Sequence, residues 1–171
     1  MKKILLSVIA LVAFVMSSNA IDNAGNKTVS VQGKARIISP ITLTNTQALD
    51  FGVIARGTGN STIVVAPSAT PSANVSSGDA TVLSSTPQTA AKFTVGGELT
   101  KTYNITIPTS AQTITDGTNN LSITVFSCSS TLANNVIGAL NEFYVGGTLT
   151  VPSTAVPASY TGTFSVTVNY N

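Results

Sequence analysis

The sequence contains no histidine and no tryptophan, and its single cysteine is Cys128. Without histidine, the chain cannot build a Ser-His-Asp or Cys-His catalytic site or a histidine-ligated metal site. One cysteine cannot form an internal disulfide, which also excludes the disulfide framework of many small exported domains. We therefore predict that the protein is not an enzyme and that it uses no cofactor and no metal.

Charged residues are also scarce, at 8% of the chain compared with roughly 25% in typical soluble domains. The formal charge of +2 comes from eight basic and six acidic residues, and two of the basic residues are Lys2 and Lys3. The rest of the chain has no net charge, because it contains six basic and six acidic residues. A neutral chain has no basic surface for phosphates, so nucleic-acid binding is excluded.

The first twenty residues have the layout of a secretory signal peptide. Lys2 and Lys3 precede an apolar run over residues 4–16, and Ser18 and Ala20 are small residues placed for cleavage. A transmembrane anchor is the alternative, but a bilayer crossing needs roughly 20 apolar residues. We expect export through the Sec pathway to the periplasm, the cell surface or the medium, with no membrane span after cleavage.

Residues 21–171 show period-2 alternation of apolar and polar residues and no sustained helical periodicity. Valine, isoleucine, threonine and aromatic residues fill these segments, and Gly, Asn and Asp lie between them. The pattern predicts an all-β, Ig-like antiparallel β-sandwich in a single domain, with a closed barrel as the alternative. The predicted strands are 28–38, 41–44, 48–54, 61–66, 80–84, 90–95, 101–107, 121–126, 141–151 and 159–170.

Five smaller expectations come with this assignment. Residues 67–77, rich in Pro, Ser and Ala, are predicted to be a loop, and residues 133–140 at most one helical turn. The stretches FTVGGELT at 93–100 and FYVGGTLT at 143–150 echo each other, which predicts a similar Gly-Gly turn in both. Asp116 begins an Asp-Gly sequence with one carboxylate, which favours a hairpin turn over a calcium loop. Asp50 is predicted to be a structural, hydrogen-bonded carboxylate.

Three stretches together resemble a bacterial family of exported domains of unknown function. They are PITLTNTQALDFG at 40–52, FTVGGELTKTYNITIP at 93–108, and the stretch 143–170, which begins FYVGGTLTVP and ends YTGTFSVTVNY. More distantly, the chain is similar to the spore-coat-U-like subunits of archaic chaperone–usher pili. That resemblance implies a pilin-like subunit of a fimbrium, with a periplasmic chaperone and an usher as partners.

The C-terminal segment alternates regularly up to the end of the chain. One face carries Phe164, Val166, Val168 and Tyr170, and the other carries Ser165, Thr167 and Asn169. The resemblance implies that a chaperone or a neighbouring subunit engages this strand, whose penultimate residue is aromatic. The alternative is an ordinary last strand of the core, which has the same alternation.

The N-terminal segment alternates as well. Its apolar or small positions are Val29, Val31, Gly33, Ala35 and Ile37. A strand that completes the sheet of a neighbour needs main-chain hydrogen bonds, alternate side chains for pockets, and a small residue where the pocket is shallow. Residues 21–34 are thus a candidate N-terminal extension or donor strand. The alternative is that residues 28–38 are the first strand of this domain itself, with a bulge at Gly33.

These observations predict an exported structural or adhesive cell-surface protein that associates with itself or with sister subunits by strand exchange. The alternative is a monomeric secreted or periplasmic module that binds carbohydrate or protein. A carbohydrate-binding site typically exposes aromatic side chains against which a sugar ring can stack. The chain has no tryptophan, and its four tyrosines are the candidates for such a site. The phase of the strands directs Tyr103 and Tyr170 inwards and leaves Tyr144 as the one expected to face solvent.

Overall fold

The computed structural model describes residues 27–83, 86–138 and 141–171. The predicted signal peptide, residues 1–20, lies outside these residues, as does the first part of the predicted N-terminal extension. The chain divides into two compact units, Met1–Arg36 and Ile37–Asn171. In the first unit, the described residues 27–36 form no strand and their side chains are exposed. The second unit contains all the strands of the described residues.

The second unit is all-β, and no helix occurs in the described ranges. Every strand pair is antiparallel, which confirms the predicted fold class. The strands are β1 (Thr42–Gln47), β2 (Val53–Ala55), β3 (Ser61–Val65), β4 (Ala73–Ser77), β5 (Thr81–Leu83), β6 (Ala91–Gly96), β7 (Thr102–Thr106), β8 (Gln112–Thr115), β9 (Asn120–Cys128), β10 (Asn135–Val136), β11 (Glu142–Val151) and β12 (Thr167–Tyr170).

The longest strand, β11, organises a seven-stranded sheet. Its residue Val145 pairs with Ala91 of β6 on one side and with Cys128 of β9 on the other. Two positions later, Gly147 pairs with β3 on the first side and still with β9 on the second. β6 and β3 therefore lie end to end along one edge of β11, while β1 flanks β6, β4 flanks β3 and β8 flanks β9.

Gly146 marks the point at which β11 changes neighbours. A Cβ atom at this position would lie 2.2 Å from the carbonyl oxygen of Val65, closer than any real contact, so only glycine fits. The expectation that Gly146-Gly147 forms a turn like Gly96-Gly97 is wrong, because β11 continues through it. The two echoing stretches meet only at their first residues. Phe93 lies opposite Phe143, and their rings stack with centroids 5.2 Å apart.

Two smaller sheets cover the two halves of the large one, which makes the fold a sandwich. The sheet β10-β7-β12 encloses a core with Phe143 and Val145 of β11, and the hairpin-like sheet β2-β5 covers a core with Leu149 and Val151. Side chains of β11 thus enter both cores, in one continuous alternation. Their burial follows from the valine, leucine and phenylalanine at every second position.

Several predicted boundaries are wrong. Residues 28–38 form no strand, residues 73–77 of the predicted loop form β4, and β8 is an unpredicted strand. The predicted helical turn at 133–140 contains the short strand β10, with residues 139 and 140 outside the described ranges. Of the predicted last strand, 159–170, only Thr167–Tyr170 is β12, because the chain before it crosses from one sheet to the other. Strand propensity did not predict β4 and β8, because mostly polar residues, such as serine and threonine, occupy them in place of large apolar ones.

Among the described residues, no helix is long and apolar enough to cross a membrane.

Candidate functional site

The N-terminal segment, residues 28–37, is here called the arm. Its larger apolar side chains are almost fully accessible: Val29 is 80% exposed, Val31 85% and Ile37 95%. Gly33 and Ala35 are exposed too, and nothing lies within 4 Å of a Cβ atom built on Gly33. The alternative that this segment is the first strand of its own domain is therefore not what the structure shows. Its donor role stays a prediction.

The C-terminal strand β12 lies at the edge of its sheet. It pairs with β7, from Thr167 opposite Thr106 to Tyr170 opposite Tyr103, and with no other strand of the described residues. The predicted inward face is confirmed, because Val168 is 8% exposed and its three partners on that face pack against the core beneath β7. These partners are Phe164, Val166 and Tyr170. The outer main-chain edge of β12 has no strand beside it in the described part of the chain.

The hydroxyl of Tyr170 connects β12 to the root of the arm. It accepts a hydrogen bond from the Glu98 N–H at 2.7 Å and donates one to the carbonyl oxygen of Ser39 at 2.9 Å. The Ser39 N–H in turn donates to the Glu98 carboxylate at 3.3 Å. Gly97 makes room for the phenol, since a Cβ atom there would lie 2.4 Å from the Tyr170 oxygen. The chain is thus fixed two residues after the arm ends.

A groove of about 830 Å³ opens on the half of the domain covered by β2 and β5. Residues 48–56, which include β2, form one wall, and residues 155–164 form the other. The floor consists of buried apolar side chains of β9 and β11, which are Leu121, Ile123, Leu149 and Val151. The rim carries partly exposed apolar side chains, which include Leu49, Ile54, Ala155 and Phe164. The floor is therefore apolar, while the lining as a whole also includes the polar residues Asp50, Arg56 and Gln112.

The two walls of this groove are held by different contacts. The first wall is tied to its outer neighbours, because β2 pairs with β5 and Asp50 exchanges two backbone hydrogen bonds with Thr89. The second wall is tied to β8 through a single bridge between Thr161 and Thr115. At one end, the Arg56 guanidinium donates to the carbonyl oxygen of Ser153. No β-strand of the described residues lies between the two walls.

Polar groups near the groove have structural partners. The Asp50 carboxylate accepts the Gly52 N–H at 2.7 Å, in line with the predicted structural role. Asp116 caps the β8–β9 turn by accepting the N–H groups of Thr118 and Asn119, as a hairpin turn requires. These bonds stabilise the charged form, and the bonds from Asn119, the strongest of them, lower the pKa of Asp116. Neither carboxylate is placed as an acid–base catalyst.

One further carboxylate and the thiol have shifted pKa values. Hydrogen bonds from the Thr58 hydroxyl and N–H and from the Gly59 N–H lower the pKa of Asp79 to about 2. Burial raises the pKa of the half-buried Cys128 thiol. Within the described residues, no group of three potential ligands could hold a metal ion.

The tyrosines give little support for a carbohydrate platform. Tyr103 is 4% exposed, and Tyr170 packs against the same core, so their predicted inward orientation is confirmed. Tyr144, expected to face solvent, is only partly exposed and packs against the other core, with the Lys92 Nζ 6.0 Å from its ring centroid. Tyr160 lines the groove, where its hydroxyl donates to the Val156 carbonyl oxygen at 2.7 Å.

Sequence patterns found the arm and the C-terminal face, but they missed the groove. Its floor residues are predicted to lie in strands, yet nothing in a linear sequence shows that a groove opens above them. A weak indication was present in residues 152–163, where Pro152, Pro157 and Gly162 interrupt the alternation between two strong strands.

A family model described as Domain of unknown function (DUF4402) matches residues 41–170. The chain belongs to this family. The match begins just before β1 and ends in β12, so it covers both core clusters, both walls of the groove and the C-terminal strand, whereas the arm precedes it. No curated protein and no solved structure matches the chain. The family confirms the expected domain of unknown function and leaves the likeness to spore-coat-U-like pilins as an expectation.

Proposed function

We propose that this protein is an exported structural or adhesive subunit of the cell surface, which assembles through β-strand donation. The observation that carries the proposal is the arm, whose alternating apolar side chains are 80–95% exposed at Val29, Val31 and Ile37. Exposing three large apolar side chains in one extended segment is costly unless a partner covers them. A strand that adds to the sheet of a partner is the arrangement that uses both its main chain and its alternate side chains.

The unpaired edge of β12 supports the same function, because it is a surface to which a strand of another protein can add. An unpaired strand edge is a template for a further strand, and soluble monomers usually protect such edges with charge, proline or a covering loop. β12 has no charged residue and no proline within Thr167–Tyr170. In this proposal, the strand with Phe164, Val166, Val168 and Tyr170 is the one engaged by a neighbour or by a periplasmic chaperone before assembly at an usher.

The low charge of the chain is what we expect of a subunit that remains associated with other copies. A chain with 8% charged residues, which is balanced once Lys2 and Lys3 leave with the predicted signal peptide, has little repulsion between copies, and this favours association. The predicted signal peptide supplies the route to the periplasm or the surface.

The decisive experiment compares two arm variants that differ by one position. Val31→Asp places a carboxylate on the apolar face of the arm, whereas Gln32→Asp places the same charge on the opposite face. We expect the parent protein and Gln32→Asp to form oligomers that resist SDS until boiled, and Val31→Asp to remain monomeric. Deletion of residues 21–33 should have the same effect as Val31→Asp and leave a folded monomer. Normal oligomers from Val31→Asp and the deletion would refute strand donation.

A monomeric binding module is the second candidate, and the groove favours it. Its volume of about 830 Å³ lies within the range of small-ligand sites, roughly 300–1,000 Å³. The same gel separates the two functions. A ladder that collapses only on boiling supports assembly, and a single band from a fraction sheared from the cell surface supports the module.

A further inference from the structure

We propose that a recess at the side of the domain is a binding site for a neutral saccharide. The recess has a volume of about 540 Å³, and its lining comes from residues 106–112 and 163–167. It adjoins the groove, with which it shares Gln112, Thr163 and Phe164. The inference goes beyond the proposed assembly, because it involves neither the arm nor the outer edge of β12.

The recess begins where β7 and β12 stop pairing. The last pair is Thr106 with Thr167, and the same register would place Ser165 opposite Pro108 two positions further on. Proline has no N–H group to donate, so it cannot complete a pair of ladder hydrogen bonds. The ladder ends there, and the N–H and carbonyl groups of Ser165 take part in no hydrogen bond within the described residues.

The two segments meet again at the far end of the recess. There, Thr115 and Thr161 form an isolated bridge with two main-chain hydrogen bonds. Between the two closures, one side consists of residues 107–114 and the other of residues 162–166. Because the first side has three more residues than the second, the two cannot pair in register along their length. The recess is therefore a consequence of chain length and of one proline.

The lining of the recess is uncharged and has two parts. The half-buried part includes the apolar side chains of Ile107, Pro108 and Phe164, and the exposed part carries six hydroxyl groups. These hydroxyl groups belong to Thr106, Thr109, Ser110, Thr163, Ser165 and Thr167. A sugar ring has the same division, with C–H groups on its faces and hydroxyl groups around its edge. An ionic ligand would find no opposite charge in this lining, and a wholly apolar one would strip water from the hydroxyl groups without replacing it.

The hydroxyl groups are available to a ligand. Of the six, only that of Ser110 takes part in a hydrogen bond within the described chain, which it accepts from the Gln112 amide at 3.3 Å. Hydroxyl groups elsewhere are engaged; that of Thr62, for example, lies 2.6 Å from the Ser76 oxygen. Each free hydroxyl can both donate and accept. The recess can therefore exchange its hydrogen bonds to water for hydrogen bonds to a sugar.

The test uses two variants that each remove one hydroxyl from the lining. Thr163→Val and Ser165→Ala change exposed side chains without a hydrogen bond of their own in the described chain, so both should fold. Thr113→Val is the matched control, because Thr113 is also exposed and lies beside Gln112 but does not line the recess. The probes are the methyl glycosides of glucose, galactose, mannose and N-acetylglucosamine, with glucuronate as the charged comparison. Saturation-transfer NMR observes the sugar, so it works whether the protein is monomeric or assembled.

We expect at least one neutral glycoside to bind, and to bind about two- to tenfold more weakly to Thr163→Val and Ser165→Ala, which each lose one hydrogen bond to it. Thr113→Val should bind as the parent does. Binding of none of these glycosides, equal binding to all the variants, or tighter binding of glucuronate than of the neutral sugars would each overturn the recess as a neutral saccharide site. None of these outcomes affects strand donation, which the arm variants test by themselves.

Discussion

The Tyr170 hydroxyl donates a hydrogen bond to the carbonyl oxygen of Ser39 at 2.9 Å, across 131 positions of sequence. The same oxygen accepts the Glu98 N–H at 2.7 Å. The penultimate residue of the chain therefore closes the domain at the point where the arm leaves it. An aromatic ring alone would fill the core equally well, so the hydroxyl has a separate role, which is to fix the root of the arm.

Tyr170→Phe should therefore destabilise the domain without disturbing its core. Two hydrogen bonds to the main chain are lost, and we expect the free energy of unfolding to fall by about 1 to 2 kcal/mol. Urea unfolding followed by far-UV circular dichroism measures this change. Tyr160→Phe is the matched control, because the Tyr160 hydroxyl makes one hydrogen bond, to the carbonyl oxygen of the exposed Val156. Equal losses in the two variants would contradict the role given to Tyr170.

Gly146→Ala should be among the most damaging single-methyl additions in the chain. The new Cβ atom would lie 2.2 Å from the Val65 carbonyl oxygen and 2.8 Å from the Pro67 nitrogen, both of them main-chain atoms that cannot rotate away. We expect a loss of about 3 kcal/mol or failure to fold. Gly59→Ala is the control, since its nearest neighbour is an Asp79 oxygen at 3.6 Å, and it should change stability by less than about 1 kcal/mol.

Asp79 should make stability depend on pH in the acid range. Its pKa is lowered from 3.8 to about 2 in the folded protein. A group with a lowered folded pKa contributes its stabilisation above the unfolded pKa and loses it as pH falls through the folded pKa. The melting temperature should therefore drop between about pH 4 and pH 2, and less steeply in Asp79→Asn. Asp116, whose pKa is also lowered, adds to the same slope.

A second variant isolates the cause of that shift. The Thr58 hydroxyl, 2.7 Å from the carboxylate, has the largest effect on the pKa of Asp79. Thr58→Val should raise the midpoint of the Asp79 carboxyl titration measured by NMR, while the midpoint of Asp116 stays in place. An unchanged Asp79 midpoint would show that the backbone N–H groups alone set the pKa.

Gly33 should tolerate a large side chain in the free arm but not in an assembly. Nothing lies within 4 Å of a Cβ atom at this position, so Gly33→Leu should leave the melting temperature of the monomer unchanged. Overpacking of a donated arm against the sheet of its partner costs about 1 to 3 kcal/mol, which corresponds to roughly fivefold to 150-fold weaker association. Gln32→Leu is the control on the other face. Assembly can be followed by light scattering, and equal effects of the two variants would contradict the proposed orientation of the arm.

Cys128 should react slowly with thiol reagents in the folded protein. Burial raises its pKa, so less thiolate is present at neutral pH. The rate of modification by an aromatic disulfide should rise when the domain is unfolded in urea. A folded protein that reacts as fast as the unfolded one would show that the thiol is open to solvent.

Alternation predicted more of this fold than of its function. Strands with large apolar residues at every second position, such as β3, β6 and β11, were placed to within one residue. β4 and β8 were missed because Ser, Thr, Asn and Gln fill them, and a strand that lies at the flank of a sheet needs fewer apolar residues. The sequence predicts a turn at the Gly-Gly pair in β11. It cannot show that a neighbouring backbone lies so close to this pair that a Cβ atom does not fit.

The candidate site was predicted in part for a similar reason. The arm and the C-terminal face are local patterns, so their residues were found directly. The groove depends on how residues 48–56 and 155–164 flank the strands β9 and β11, and that is a property of the assembled sheets. Alternation shows that the arm can form a strand, but it does not show which sheet, or whose, completes the pairing.

Because β11 contributes side chains to both cores, it links the unfolding of the two halves of the domain. Phe143 and Val145 belong to one core and Leu149 and Val151 to the other, on a single stretch of backbone. Neither half can open without withdrawing a strand that the other half requires. Unfolding should then be a single cooperative transition in which both cores are lost together.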